Sequence, residues 1–241
     1  MRVPNDSILL IDKPLQWTSF DVIRYLKREY KRNTDEPTGI KKFKIGHAGT
    51  LDPLASGLLI VCTGNKTKTI ESIVGAKKEY VAELALGAVT ASFDSEFEPQ
   101  DYHDVSAISN EDVLEALRHF EGIIEQVPPH YSAIKIDGQR AYQKARNGEQ
   151  FKINKRSVTI HEISLLNSIQ SLTIANNVLK KCTIRVICSK GTYIRTLASD
   201  IGQHLGVGGY LMNLRRTRIG DYSLEDAQKI QAEDFTPSTL K

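Results

Sequence analysis

Five consecutive apolar residues, Leu58-Leu59-Ile60-Val61-Cys62, leave no polar side for solvent and predict a strand buried on both faces. Ser7-Ile8-Leu9-Leu10-Ile11 predicts a short buried strand before it. Between them, Thr18 and Asp21 stand at capping-box spacing, and Val22, Ile23, Leu26 and Tyr30 supply a helical apolar face. Further on, Tyr80, Ala82, Leu84 and Leu86 alternate with Val81, Glu83 and Ala85, the period of a half-buried strand. A second cap at Ser109 and Asp112 opens a helix lined by Val113, Leu114, Leu117 and Phe120, with Gly122 placed to end it. Strand patterns return at Val158 to Ile163, Leu172 to Ile174 and Cys182 to Cys188. After a turn at Gly191, the spacing of Ile194, Leu197, Ala198, Ile201 and Leu205 predicts a helix stopped by Gly206, Gly208 and Gly209. No repeat and no composition break divides the chain. The pattern predicts one mixed α/β domain over residues 1–241, a sheet with helices packed against it.

At 241 residues and 40% apolar content, the chain can bury a substantial core. No apolar run reaches membrane-spanning length, and Met1-Arg2-Val3-Pro4-Asn5-Asp6 lacks a signal-peptide core, so a cytoplasmic protein is expected. Cys62, Cys182 and Cys188 have no zinc-like spacing and are expected as reduced core residues, with no metal. The formal charge of +3 is small, but it is unevenly spread. Residues 24–44 and 180–218 are basic, whereas residues 94–125 hold acidic residues against Arg118 alone. One basic face and one acidic face would bind a polyanion in a defined orientation; ordinary solvated charge is the alternative for the acidic stretch and for part of residues 24–32. Residues 33–44 are expected as a polar, basic loop. In residues 127–156, tyrosines and cations interleave around a short helix ended by Gly148, a composition suited to RNA.

The chemistry concentrates in Gly46-His47-Ala48-Gly49-Thr50-Leu51-Asp52-Pro53-Leu54-Ala55-Ser56-Gly57. Pro53 steers Asp52 toward an extended backbone, and the glycines permit turns or close approach, so one carboxylate is presented ahead of the buried strand. A single Asp-Pro most often stabilises its own turn. The whole string, however, resembles the catalytic motif of the TruB family, the bacterial tRNA pseudouridine-55 synthases. Further blocks follow in the family's order: Asp12-Lys13-Pro14 with Thr18-Ser19, Lys78-Glu79-Tyr80, Pro129-His130-Tyr131-Ser132-Ala133-Ile134-Lys135, Lys190-Gly191-Thr192-Tyr193-Ile194-Arg195-Thr196 and Leu214-Arg215-Arg216.

The resemblance implies the pseudouridine synthase fold: a mixed, largely antiparallel sheet flanked by helices, with a central catalytic cleft and a thumb-like RNA-binding insertion at about 127–156. It implies Asp52 as the nucleophile, and substrate-binding roles for His47, Tyr80, Tyr193, Arg195, Leu214 and Lys13. The expected substrate is uridine 55 in the T-arm stem-loop of tRNA, flipped out of its stack. The isomerisation needs no redox step, so no cofactor is expected. An ionised Asp can attack C1′, add to C6 or assist loss of a proton from C2′. Arg195 is the expected cation beside Asp52. Tyr80 offers a stacking ring and an exchangeable proton. Gln16 departs from the family pattern, which commonly has Gly there; a positive φ would strain it. No C-terminal domain of the PUA type is expected, hence no guide RNA, and a monomer. An RNA-binding protein without catalysis suits the basic face equally, but Asp52, Tyr80 and Arg195 favour an enzyme. A glycoside hydrolase would need a second carboxylate, and none accompanies the basic blocks.

Overall fold

A computed structural model describes residues 3–33, 43–231 and 235–238. Of the expected basic loop at 33–44, residues 34–42 lie outside the described residues. In chain order the first elements are β1 (Ile8–Lys13), α1 (Ser19–Arg32), β2 (Ile45–His47), β3 (Ala55–Thr63), α2 (Ile70–Gly75), β4 (Lys78–Leu86), α3 (Asn110–His119), β5 (Gly122–Gln126), β6 (Lys135–Ile136) and β7 (Gln139–Arg140). There follow α4 (Ala141–Arg146), β8 (Arg156–Leu165), β9 (Gln170–Ile174), β10 (Asn177–Cys188), α5 (Ile194–His204), β11 (Gly209–Ile219), β12 (Tyr222–Ser223) and β13 (Gln228–Lys229). Two compact units result: Met1–Tyr80 with Leu214–Lys241, and Val81–Asn213. Their boundaries fall inside β4 and β11, so no linker composition marks them.

In the first unit, β3 pairs antiparallel with β1 along its length, parallel with β11 at its first residues and antiparallel with β2 at its last. Parallel β13 extends the sheet beyond β1. Leu59 and Val61 pack with Ile11, Val22, Ile23 and Leu26, under α1. Leu58, Ile60 and Cys62 pack on the opposite face with Ala48, Ile73 and Ile219. All five side chains from Leu58 to Cys62 are fully buried, which is why the strand shows no alternation. Each such aliphatic side chain contributes about 1.5–3 kcal/mol on burial. β1 alternates between half-buried and buried positions and is covered less completely than its apolar sequence suggests.

The capping box of α1 forms as its spacing predicts: Thr18 Oγ1 accepts from Asp21 N at 3.0 Å, and Thr18 N donates to Asp21 Oδ2 at 2.9 Å. Burial pushes the Asp21 carboxyl up, but hydrogen bonds from Thr18, Arg24 and Ser238 outweigh it and hold the pKa down to about 2. The start of α1 is therefore fixed, and Ser19, its first residue, is placed against the Asp52 loop.

In the second unit, β10 pairs antiparallel with β9 and β8, and β8 with β5. The β9–β10 hairpin turns at Ala175 and Asn176, with φ of 49° and 64°. Here α3 ends at Phe120, and Gly122, rather than ending the helix, opens β5 at φ 98°. β5 pairs with one neighbour and leaves Ile123 77% exposed, so its sequence carries too little apolar pattern to be recognised. In residues 127–156, a β6–β7 hairpin precedes α4, which ends at Asn147 with Gly148 at φ 72° just beyond. Ala141 is fully buried, and Arg146 pairs with Glu96 at 2.6 Å. The three cysteines are buried and free, and burial pushes the Cys182 thiol up to about 12. Among the described residues no helix is long and apolar enough to cross a membrane.

Candidate active site

Asp52 lies in the short loop between β2 and β3, half-buried, with its backbone held from three directions. Ser19 Oγ accepts from Leu51 N at 2.8 Å and lies 3.1 Å from Leu51 O. Gln16 N donates to Pro53 O at 2.8 Å, and Ala55 N donates to Asp52 O at 3.1 Å, closing a turn. Gln16 makes this contact at φ 65°, in the left-handed region where Gly is unstrained. The strain anticipated for Gln16 is present, and it sits at the point where the β1–α1 turn holds the Asp52 loop.

Two basic side chains are buried beside that loop, Lys13 and Arg216. Lys13, fully buried, ends β1 opposite Gly57 and donates to Pro14 O at 2.9 Å and Trp17 O at 2.5 Å. Burial lowers its pKa to about 7; the charge of Asp52 opposes that shift, Arg216 adds to it, and Asp21 and Asp12 oppose it. Arg216, 1% exposed, donates from Nε to Leu58 O at 2.8 Å and from Nη2 to Gly49 O at 3.1 Å. Gly49 has φ 96° and Gly57 φ 100°. A Cβ on Gly57 would stand 2.3 Å from Arg216 O, so only glycine lets β11 pass this close.

The neighbouring residues follow from strand period. β11 presents Leu214 and Arg216 to one face and Arg215 to the other. Leu214, 8% exposed, pairs in register with Ala55, and Arg215 bridges Asp12 at 2.8 Å and Ser56 Oγ at 3.2 Å. His47 ends β2 opposite Val61. Its Nδ1 is buried and has no hydrogen-bond partner among the described residues, and burial, reinforced by Arg216, pushes the imidazole pKa down, so the ring is neutral near pH 7. Tyr80 is 8% exposed on the buried face of β4, with Lys78, Ala82 and Leu84. The preceding Glu79 accepts from Thr217 Oγ1 at 2.7 Å.

Tyr193 and Arg195 belong to the second unit, at the start of α5. Gln126, fully buried on β5, binds the Tyr193 backbone twice, accepting from N at 3.0 Å and donating to O at 3.2 Å. Arg195 is 4% exposed. It donates to Ser92 O at 3.2 Å and Tyr131 O at 3.0 Å, and its Nη1 lies 3.4 Å from Asp94 Oδ2. Asp94 is 5% exposed and also accepts from Ser92 Oγ at 2.5 Å and Glu96 N at 3.0 Å. Asp94 thus departs from the solvated acidic surface expected for residues 94–125. Its burial is set by the bridge to Leu211, which no local pattern announces.

The first unit accordingly gathers Lys13, His47, Asp52 and Leu214 around β3, with Arg216, which the sequence marks only as part of a basic block. Such an arrangement presents one carboxylate among a buried lysine, a buried arginine, a neutral imidazole and an apolar side chain, which suits attack on a neutral nucleoside.

The family model described as TruB family pseudouridylate synthase (N terminal domain) matches residues 36–194, and that described as tRNA pseudouridylate synthase B C-terminal domain matches residues 195–240. A protein of Phocaeicola vulgatus named tRNA pseudouridine synthase B is 47% identical over 96% of this chain and 93% of its own length. One of the same name from Flavobacterium johnsoniae is 46% identical over 91% of each. Among solved structures, an H/ACA RNP bound to a substrate RNA containing 2′-deoxyuridine shares the fold, with a TM-score of 0.62 and 24% identity over 98% of this chain. This chain spans 57% of that one. By its matched models and relatives, the chain belongs to the TruB family of pseudouridylate synthases.

Proposed function

We propose that the chain is a tRNA pseudouridine synthase that isomerises uridine 55 in the T-loop. The observation that carries this reading is near full-length likeness to proteins named tRNA pseudouridine synthase B, at 47% identity, with the Asp52 loop intact. In the reaction the C1′–N1 bond breaks, the uracil turns, a C1′–C5 bond forms and C5 loses its proton to N1. Atoms balance without an oxidant or external energy. The protein must therefore supply position and charge.

Asp52 is the nucleophile in this reading. Its loop is clamped to α1 and to the β1–α1 turn, so attack requires little reordering. Lys13 feels the charges of both Asp52 and Arg216, and neutral His47 meets the RNA without adding charge. Tyr80 stacks on the uracil and exchanges a proton through its hydroxyl; Leu214 and Tyr193 wall the flipped nucleotide. Arg195, held by Asp94, Ser92 and Tyr131, supplies a further fixed cation to the site. Residues 127–156 grip the stem-loop. The enzyme works in the cytoplasm as a monomer and without a guide RNA.

An isolated, unmodified T-arm stem-loop tests this directly. Pseudouridine should form at the position of uridine 55, and free uridine should not react. Equal reaction of free uridine, or none with the stem-loop and intact tRNA, contradicts the reading.

A further inference from the structure

Arg156, the first residue of β8, has no role in the account so far. It pairs in register with Gln126, the residue whose side chain binds both backbone groups of Tyr193. Its guanidinium lies 4.5 Å from the centroid of the Tyr193 ring. A single cross-strand pair therefore holds Tyr193 twice, Gln126 by the main chain and Arg156 by the ring. Among the described residues, Nε and Nη2 of that guanidinium are buried without a hydrogen-bond partner, so the ring is the contact recorded for it.

The loop that carries Tyr193 is tied to the same strand. Ser189 N donates to Thr159 O at 2.8 Å, Thr159 N donates to Ser189 Oγ at 2.9 Å, and Thr192 Oγ1 donates to Ser189 O at 2.9 Å. At Gly191, φ is 82°, and a Cβ there would stand 3.7 Å from Arg156 Nη1, so the turn runs beside the guanidinium. Tyr193 O also accepts from Leu197 N at 3.1 Å, the first bond of α5. The ring, the loop and the helix start are thus set from one end of β8.

We propose that Arg156 is a positioning residue for the pseudouridine synthase reaction, holding the Tyr193 ring at the angle at which it walls the reacting nucleotide. The proposal rests on the function assigned above. It requires a flat cation: lysine keeps the charge but not the planar guanidinium over the ring, and methionine keeps the stem but not the charge.

The test is a double-mutant cycle on single-turnover rates with saturating T-arm RNA, alongside RNA affinity and melting temperature. Arg156→Met should slow the chemical step about tenfold while affinity changes less than threefold, and Arg156→Lys should recover little. Combined with Tyr193→Phe, which keeps the ring, Arg156→Met should cost the same tenfold again; combined with Tyr193→Ala it should cost nothing further. A rate within twofold of wild type for Arg156→Met, or an undiminished loss in the Tyr193→Ala background, overturns the proposal. Should Arg156→Met melt early, Arg156→Lys carries the same cycle. A wild-type enzyme that forms no pseudouridine overturns the function itself and this role with it, whereas an active wild type with indifferent Arg156 variants overturns this role alone.

Discussion

Lys13 is an amine with no solvent access, and its electrostatics make a measurable demand on the folded state. Burial depresses its pKa from 10.5 to about 7, so between those values the unfolded chain binds a proton that the folded chain does not. Stability should therefore rise with pH from about 7 toward 9. Lys13→Met should flatten that rise, as measured by urea unfolding at pH 7 and pH 9 for both proteins; an unchanged slope contradicts the assignment. Gln16 makes the opposite kind of demand, since φ 65° costs a side-chain-bearing residue about 1–2 kcal/mol. Gln16→Gly relieves it at some cost in unfolded-state entropy, so it should stabilise by about 0.5–1 kcal/mol. A loss of stability on chemical denaturation contradicts the strain. Asp52 and Gln16 were legible in the sequence because proline and missing glycine speak about the backbone. Arg216 and Asp94 were not, because their burial comes from strand neighbours distant in sequence.

At the scale of elements, β3 is the scaffold of the first unit. Its unbroken apolar run and the capping box of α1 could be read directly, since both are local consequences of packing and hydrogen bonding. β11 could not: its buried face mixes Leu214 with Arg216, and a buried arginine breaks the apolar pattern that marks a strand. β2 and β5 are short and were missed for want of pattern. The contact between β3 and β11 gives a sharp prediction. Gly57→Ala places a Cβ 2.3 Å from Arg216 O at φ 100°, and should destabilise by at least about 3 kcal/mol. Gly122→Ala meets nothing within 4 Å at φ 98° and should cost only the conformational ~1–2 kcal/mol. Equal effects in thermal unfolding would mean that the close passage of β11 is not what requires Gly57.

For the whole molecule, family and fold were legible because the motif blocks run in order across both units. The division at β4 and β11 was not, since continuous strands cross it without a change of composition. One carboxylate, set on a clamped loop near Lys13 and Arg216, carries the proposed chemistry. Asp52→Asn keeps the side chain's size and removes only its charge. The deciding measurement is single-turnover reaction of unmodified tRNA with wild type and Asp52→Asn, with pseudouridine mapped by position and tRNA affinity measured in parallel. Wild type should form product at uridine 55, and the variant should lose at least about a thousandfold in rate with affinity within a few-fold. Product formation by Asp52→Asn at near the wild-type rate, from a preparation free of wild-type enzyme, would contradict that role.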